Sequence, residues 1–361
     1  MSKIAVIGAG KTGRGFVGRL LKEDHLEIMF VDKDAELVRE LNDKGNFQIT
    51  FFGDVRPKFV VDDYQACTWE DADFADVELV FVSVGGSNLE AVGEWLRRKL
   101  GDTPCYIITC ENASRPSETL RSVIGKENVS ISEATVFCTT TSDGGLDIHS
   151  ENYPYLQCDA QLLNGYIPPV KGVKPIDHFG NFLTRKLFTY NAASCVIAYL
   201  GYIRGYTDYG EAANDPEILK LLDQNYAATN RVLCLEFGYD EKDQQEFAAL
   251  SRAKFCDRTI ADTIARNARE PQRKLTGHER VIGPLKLLQK YGEDTAVLEM
   301  TAGAMLVYDQ EGEEEWRRIK AENSYEEILE KICGLEKTDP LFEGILKYTR
   351  QLCGRIEEKR D

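Results

Sequence analysis

Two textures of hydrophobic patterning divide the chain. From residue 3 to residue 176, short runs of apolar and β-branched residues alternate with stretches of helical periodicity. That alternation predicts a parallel sheet with crossover helices. Strands are expected at Lys3–Ile7, Leu26–Val31, Val77–Val84, Cys105–Cys110 and Val129–Cys138, and helices at Thr12–Lys22, Ala35–Lys44, Leu89–Leu100 and Ser117–Ile124. Val77–Val84 is apolar at almost every position, as a strand buried on both faces must be. Residues 139–176 hold Gly, Pro and Asp clusters between short β-like pieces, and read as an edge hairpin or as the join between domains.

From Asp177 onward strand-like runs largely vanish and helical periodicity dominates. A long apolar helix is expected over Asn181–Ile203. A second spans Asp215–Phe237, with Pro216 in its first turn and Gly238 just past its end, where the chemistry of helix termini places them. Further helices are expected at Glu241–Ala265, Pro284–Tyr291, Thr295–Tyr308, Glu313–Glu322, Ser324–Ile332 and Pro340–Glu358, and no fixed-period repeat is present. The pattern therefore divides the chain into an α/β domain, residues 1–176, and an all-α domain, residues 177–361.

Composition narrows the partners. The 361 residues include 60 acidic and 44 basic side chains, a formal net charge of −16. An acidic surface repels phosphate backbones and there is no basic run of five, so nucleic acid is not an expected partner. No stretch reaches the ~18–20 uncharged apolar residues of a membrane span, and Met1-Ser2-Lys3 leads straight into the apolar run Ile4–Ile7 without a signal-peptide pattern. The expectation is a cytoplasmic protein, away from membranes, as a monomer or small homo-oligomer. Ten scattered cysteines without a CxxC pair read as reduced thiols, and four histidines without HxH or HxxxH spacing give no reason to expect a metal. Against this acidic background an anionic small ligand needs a local positive site.

The first such site is a glycine-rich turn. Gly8-Ala9-Gly10-Lys11-Thr12-Gly13 follows the first strand and opens a helix. Gly8 permits the tight turn, Gly10 lets backbone approach a pyrophosphate, and Gly13 lets helix and strand pack closely. The helix N-terminus offers its free N–H groups to the phosphates, with Lys11, Thr12 and Arg14 beside it. Asp32 ends the second strand, 24 positions after Gly8, close to the ~20-residue spacing of a carboxylate that binds the adenosine ribose. A carboxylate there favours NAD over NADP. Val84 and Gly85, at the carboxyl end of the most apolar strand, would pass beside the cofactor ribose. The fold expected is thus an α/β Rossmann-type N-terminal domain plus an all-α C-terminal domain, with NAD as cofactor.

Lys186, Asn191 and Ser194 lie within a helix that is apolar almost all round. Burying an ammonium is costly unless it is paired or functional, and burial lowers its pKa toward that of a general base. An ion pair near an exposed helix end is the alternative reading for Lys186. Arg266, Arg269, Arg273, Lys274 and Arg280 form the densest basic segment of the chain and can present a fork to a phosphate or carboxylate. Local pairing with Glu270 and Glu279 is the competing reading.

These segments together resemble a known family. Gly8-Ala9-Gly10-Lys11-Thr12-Gly13-Arg14-Gly15-Phe16, Cys110-Glu111-Asn112, Arg185-Lys186-Leu187-Phe188-Thr189-Tyr190-Asn191, Ala198-Tyr199-Leu200-Gly201, and Arg273-Lys274-Leu275 with Arg280 and Pro284 are similar to the motifs of the mannitol-1-phosphate 5-dehydrogenases, within the polyol-specific long-chain dehydrogenases (the mannitol dehydrogenase family). The resemblance implies a site between the two domains. It implies that Lys186 is the general base, that Asn112 and Asn191 donate hydrogen bonds to the developing alkoxide, and that NAD accepts the hydride. Arg266 and Lys274 match substrate-contacting positions, and Arg273, His278 and Arg280 join them as candidate substrate residues for an anionic sugar or polyol. The implied reaction interconverts a sugar alcohol phosphate and a ketose phosphate, mannitol 1-phosphate and fructose 6-phosphate being the family default.

Two departures bear on the substrate. Where the family has a histidine three residues after the asparagine, this chain has Ser194. Where the family has an Asp-Arg-containing stretch, it reads Val136-Phe137-Cys138-Thr139-Thr140-Thr141. They leave open a dehydrogenase for another polyol or a sugar acid, or an NAD-binding protein without catalysis.

Overall fold

Alternation along the strands explains the layering of the first half of the chain, as seen in a computed structural model that describes residues 3–53, 58–111, 113 and 115–358, the side chains of 355–358 excepted. Among the described residues twelve strands form: β1 (Lys3–Ile7), β2 (Ile28–Asp32), β3 (Asn46–Phe51), β4 (Phe59–Asp62), β5 (Tyr64–Thr68), β6 (Val77–Val82), β7 (Cys105–Thr109), β8 (Val129–Thr135), β9 (Thr140–Thr141), β10 (Ile148–Ser150), β11 (Leu156–Asp159) and β12 (Val173–Ile176). Ile4, Val6, Ile28 and Phe30 face one apolar core, while Ala5, Ile7, Met29 and Val31 face another on the opposite side. A sheet buried on both faces needs helices on both. Val92 and Leu96 of helix Leu89–Lys99 and Leu120 of helix Pro116–Ile124 fill the second core, and Val38 and Leu41 of helix Ala35–Lys44 the first.

The main sheet runs β12-β11-β8-β7-β6-β1-β2-β5. Six consecutive strands, from β8 to the edge strand β5, are parallel and, numbered in chain order, lie 3-2-1-4-5-6 from the β5 edge inward, the doubly wound order of dinucleotide-binding domains. The strand order reverses between β1 and β6, and ligands of such sheets bind outside the carboxyl ends at that point. β11 joins the edge antiparallel to β8 and carries β12 parallel to itself.

A second sheet, β4-β3-β10-β9, was not read from the sequence. Residues 139–176 thus do two jobs. β9 and β10 complete the small sheet beside β3, and β11 and β12 extend the large one. Phe47, Ile49, Val61 and Ile148 bury this sheet in the first core.

The chain forms two compact units, Met1–Phe182 and Leu183–Asp361. The second is all helical, with one apolar core around helices Ala192–Arg204, Pro216–Phe237, Ala296–Val307 and Pro340–Glu358. Asp215 caps Pro216–Phe237 through its carboxylate, which accepts from the N–H groups of Glu217 and Ile218, and Gly238 closes it in the left-handed conformation. Ser324 and Glu327 form a capping box on helix Tyr325–Lys331.

The helix expected over Glu241–Ala265 stops at Cys256. Asp257 turns the chain, accepting from the N–H and hydroxyl of Thr259, and Thr263 then caps a new short helix, Ile264–Asn267. No helix among the described residues is long and apolar enough to cross a membrane.

Two helices carry a widened turn that periodicity did not reveal. Gly13–Gly18 is π-helical before continuing as α-helix over Arg19–Glu23. Leu187–Asn191 is π-helical between Phe179–Lys186 and Ala192–Arg204, with the N–H of Ala192 donating to the carbonyl of Leu187. Both coincide with motifs singled out as chemical, where such turns recur.

Candidate functional site

The glycine turn is built by close approach of backbones. The N–H of Gly8 donates to Val31 O at 2.8 Å and Ser83 N–H to Ile7 O at 2.8 Å, tying the ends of β1, β2 and β6 together. Gly8 has φ +92°, and a Cβ there would lie 2.1 Å from the carbonyl oxygen of Ser83. A Cβ on Gly13 would lie 2.0 Å from Gly8 O. Neither position tolerates a side chain without moving backbone. Gly13→Ala is therefore expected to raise the dissociation constant for NADH more than about tenfold and to lower the thermal midpoint, as read by cofactor fluorescence and a melting curve.

Gly10 differs: a Cβ there meets no atom within 4 Å. Its outer face lies open at the turn, as a cradle for a ligand requires. Beside it, the loops after β1, β6 and β7 border a cavity of about 440 Å³ lined by Thr12, Ser83, Gly85, Glu111 and Val136 among others. The residues present fit a dinucleotide: an open glycine face, a strand-order reversal, and Asp32 at the end of β2.

Asp32 also holds the turn. Its carboxylate accepts from Ala9 N–H at 2.7 Å and from Asp34 N–H at 3.0 Å. Lys11 is exposed, and Thr12 Oγ1 lies 3.3 Å from Thr140 Oγ1. Val84 and Gly85 lie in the loop after β6. Arg14 takes a different place from the one its position in sequence suggested. It is buried, donates from Nη1 to Leu146 O at 2.9 Å, and sits 5.5 Å from the centroid of Phe47. Its charge is directed into the domain, and it serves the small sheet.

Glu111 was quoted only as part of a motif and has a specific job. Its Oε1 accepts from the N–H groups of Val84 at 2.5 Å and Gly85 at 2.9 Å. Burial raises its pKa and these two hydrogen bonds pull it back. The signal was an acid two residues past the end of the apolar strand β7. Asn112 lies outside the described residues.

In the helical unit Arg185 and Lys186 are neighbours with opposite fates. Arg185 is buried, donating from Nε to Gln244 Oε1 at 2.6 Å and pairing with Asp243 at 2.7 Å, between the rings of Phe247 and Tyr239. It anchors the π-helical turn to helix Glu241–Cys256. Gln244 also donates to Thr189 Oγ1 at 3.2 Å, inside that turn. The ring of Phe188 lies against Gly283, where a Cβ would be 2.7 Å away, so the turn is held near the start of helix Ile282–Tyr291.

Lys186, so placed, is half-buried. Its pKa is pushed down to about 8, first by burial and then by the positive charges of Lys254 and Arg280. Lys186 directly precedes the widened turn and Asn191 ends it.

Ser194 joins a small network. Tyr209 OH donates to Ser194 Oγ at 3.3 Å, and Ser194 Oγ donates to Asn267 Oδ1 at 3.4 Å. Lys274, also buried, donates to Asn267 O at 2.6 Å, and its pKa is pushed down to about 8 by burial, with Arg280 and Arg273 adding to the effect.

The rest of the basic segment divides. Arg266 is exposed and bidentate to Asp262 at 2.6 and 2.5 Å. Arg273 is exposed and pairs with Glu270 at 2.9 Å, and His278 is exposed. Arg280 is half-buried, donates to Glu279 at 2.8 Å, and stands close enough to Lys186 and Lys274 to depress both. Lys254, on helix Glu241–Cys256, was missed because nothing in its sequence surroundings marks it. Among the described residues no three His, Cys, Asp or Glu side chains gather as a metal site.

The geometry can be set beside known proteins. The family profile described as "Mannitol dehydrogenase Rossmann domain" matches residues 2–144, and "Mannitol dehydrogenase C-terminal domain" matches residues 178–341. The chain is 29% identical over 373 residues to the mannitol-1-phosphate 5-dehydrogenase of Brevibacillus brevis, covering 96% of this chain and 97% of that one. It is 28% identical over 368 residues to the enzyme of the same name from Anoxybacillus flavithermus, covering 94% and 97%.

Among solved structures it resembles a D-sorbitol dehydrogenase in substrate-free form, with TM-score 0.75, 15% identity, and 98% and 93% of the two chains covered. It also resembles a Pseudomonas fluorescens mannitol 2-dehydrogenase in ternary complex with NAD and D-mannitol, with TM-score 0.63, 13% identity, and 99% and 92% covered. At these identities the structural likeness speaks to the fold alone.

Proposed function

Since the chain belongs to the mannitol dehydrogenase family, we propose that it is an NAD-dependent dehydrogenase that interconverts a sugar alcohol phosphate and a ketose phosphate, with Lys186 as the group that takes or returns the alcohol proton. The observation that carries this reading is the placement of Lys186. A half-buried lysine whose pKa is pushed down to about 8 beside further cations gives up its proton just above neutral pH, far more readily than an exposed lysine, and the cations around it favour an anionic substrate.

Gly8, Gly10, Lys11, Thr12, Gly13, Asp32, Val84 and Gly85 would hold NAD, which supplies the hydride chemistry when bound. Arg14 is left out, because its guanidinium is engaged inside the domain. Asn191 and Asn112 are assigned the hydrogen bonds to the developing alkoxide. Ser194 is assigned the hydrogen bond that the family histidine would make, its hydroxyl oriented by Tyr209 and Asn267. Arg280 and Lys274 are assigned to the anionic end of the substrate. The exposed Arg266, Arg273 and His278 are assigned to its rim.

The names of the relatives support mannitol 1-phosphate and fructose 6-phosphate as the pair. The test is loss of NADH absorbance with a panel of fructose 6-phosphate, fructose, other ketose phosphates and uronates. Turnover of fructose 6-phosphate well above fructose is expected. Turnover of a uronate or free ketose alone would assign the Ser194 site to another polyol or sugar acid. Tight NAD binding without turnover of any of them would remove the enzymatic reading.

A further inference from the structure

By the two-half construction of the doubly wound sheet, the nicotinamide half of the cofactor belongs over β6, β7 and β8, and the adenosine half over β1, β2 and β5. Glu111 follows β7 and lines the cavity at the carboxyl ends of β1, β6 and β7. It is 8% exposed, and it is held by the backbone amides of Val84 and Gly85. Both of those hydrogen bonds fall on Oε1, and no described lysine or arginine pairs with the carboxylate.

A buried acid with that setting does more than brace a loop. A loop brace needs only an acceptor, which a glutamine also provides. The negative charge adds a field inside a crevice of low dielectric, where it is weakly screened. The oxidised nicotinamide ring carries a positive charge and the reduced ring carries none.

We propose that Glu111 is a positioning and charge-setting residue that biases the bound cofactor toward NAD⁺ relative to NADH, an inference that rests on the nicotinamide reading above. Differential binding of the two redox forms shifts the on-enzyme equilibrium by the ratio of their affinities. Glu111 thereby favours the release of NADH after polyol oxidation, without contacting the polyol.

The test is equilibrium binding of NAD⁺ and NADH, each alone, to the wild-type protein and to Glu111→Gln and Glu111→Asp, by calorimetry and by cofactor fluorescence. Glu111→Gln keeps an oxygen for the Val84 and Gly85 amides and removes the charge. Its Kd for NAD⁺ is expected to rise about tenfold while its Kd for NADH changes less than about twofold. Glu111→Asp keeps the charge and shortens the reach. Both of its Kd values are expected to rise together, with their ratio near that of the wild type. Equal changes of both Kd values in Glu111→Gln, or none, would overturn the proposal and leave Glu111 as a loop brace. A ratio shift in Glu111→Asp as large as in Glu111→Gln would overturn it as well. Failure of the wild-type protein to bind either form would overturn the nicotinamide reading itself, and this inference with it.

Discussion

Replacing Lys186 with alanine is expected to lower kcat for polyol oxidation by about a thousandfold while changing the Kd for NADH less than about threefold. Positioned acid–base catalysis contributes roughly 10²–10⁴ in rate, and no other described side chain near Lys186 has both its burial and its lowered pKa except Lys274. Lys274 donates to Asn267 O at 2.6 Å and is assigned to the anionic end of the substrate. The residues assigned to the cofactor lie in the turn after β1, at the end of β2 and in the loop after β6, and Glu111 follows β7, all outside the helical unit Leu183–Asp361, so the alanine variant should bind cofactor as the wild type does. Lys186→Arg makes a stricter variant. It retains a cation but cannot release its proton in the working range, and it should be as inactive as alanine. Steady-state turnover beside fluorescence titration separates the two effects. Loss of cofactor binding along with turnover would show that Lys186 supports the fold instead.

Arg280→Met should act on substrate and base together. A charge-assisted hydrogen bond to an anion is worth about 1.5–3 kcal/mol, so KM for a phosphorylated substrate is expected to rise about 10–100-fold, and KM for its unphosphorylated counterpart only a few-fold. The same change removes one of the positive charges that lower the pKa of Lys186. With that repulsion gone, the ammonium holds its proton to higher pH, and the alkaline activation of oxidation should move upward by a fraction of a unit. Arg273→Met serves as the comparison. Arg273 is exposed and engaged with Glu270, so it should alter KM little and the pH profile not at all. Equal KM effects in the two variants would move the anion site away from Arg280.

The sequence was most legible where one residue type serves one backbone requirement. Gly8 and Gly13 are glycine because a Cβ would strike a carbonyl, and Asp32 ends β2 within reach of the turn. Pro216 and Gly238 mark the limits of a helix for equally local reasons. Where the outcome depends on direction or on distant partners, sequence adjacency gave less. Arg14 stands next to the turn yet points inward to Leu146 and Phe47. Arg266 and Arg273 belong to a basic segment whose charges are largely answered by Asp262 and Glu270. Lys254 meets Lys186 only through tertiary packing of helix Glu241–Cys256.

The strands β3 and β4 were unread; they pair antiparallel with each other, and β10 joins β3 on its other side from about a hundred residues further along the chain. The two π-helical turns depend on a single extra residue per turn, a difference that a periodicity near 3.6 absorbs without trace. Their coincidence with the glycine turn and with Lys186–Asn191 indicates that sequence patterning is least informative where side chains must be re-aimed.

The pH dependence of kcat/KM for NAD-linked oxidation of the polyol phosphate bears most directly on the role of Lys186, because it reports the ionisation of the free enzyme. Lys186 must be neutral to accept the alcohol proton, so activity should be low below its pKa, rise tenfold per pH unit through the approach to about 8, and level off above it. The limb should survive in Lys274→Met and vanish from the residual activity of Lys186→Ala. A rising limb near pH 8 that persists unchanged in Lys186→Ala would contradict the assignment of Lys186 as the base.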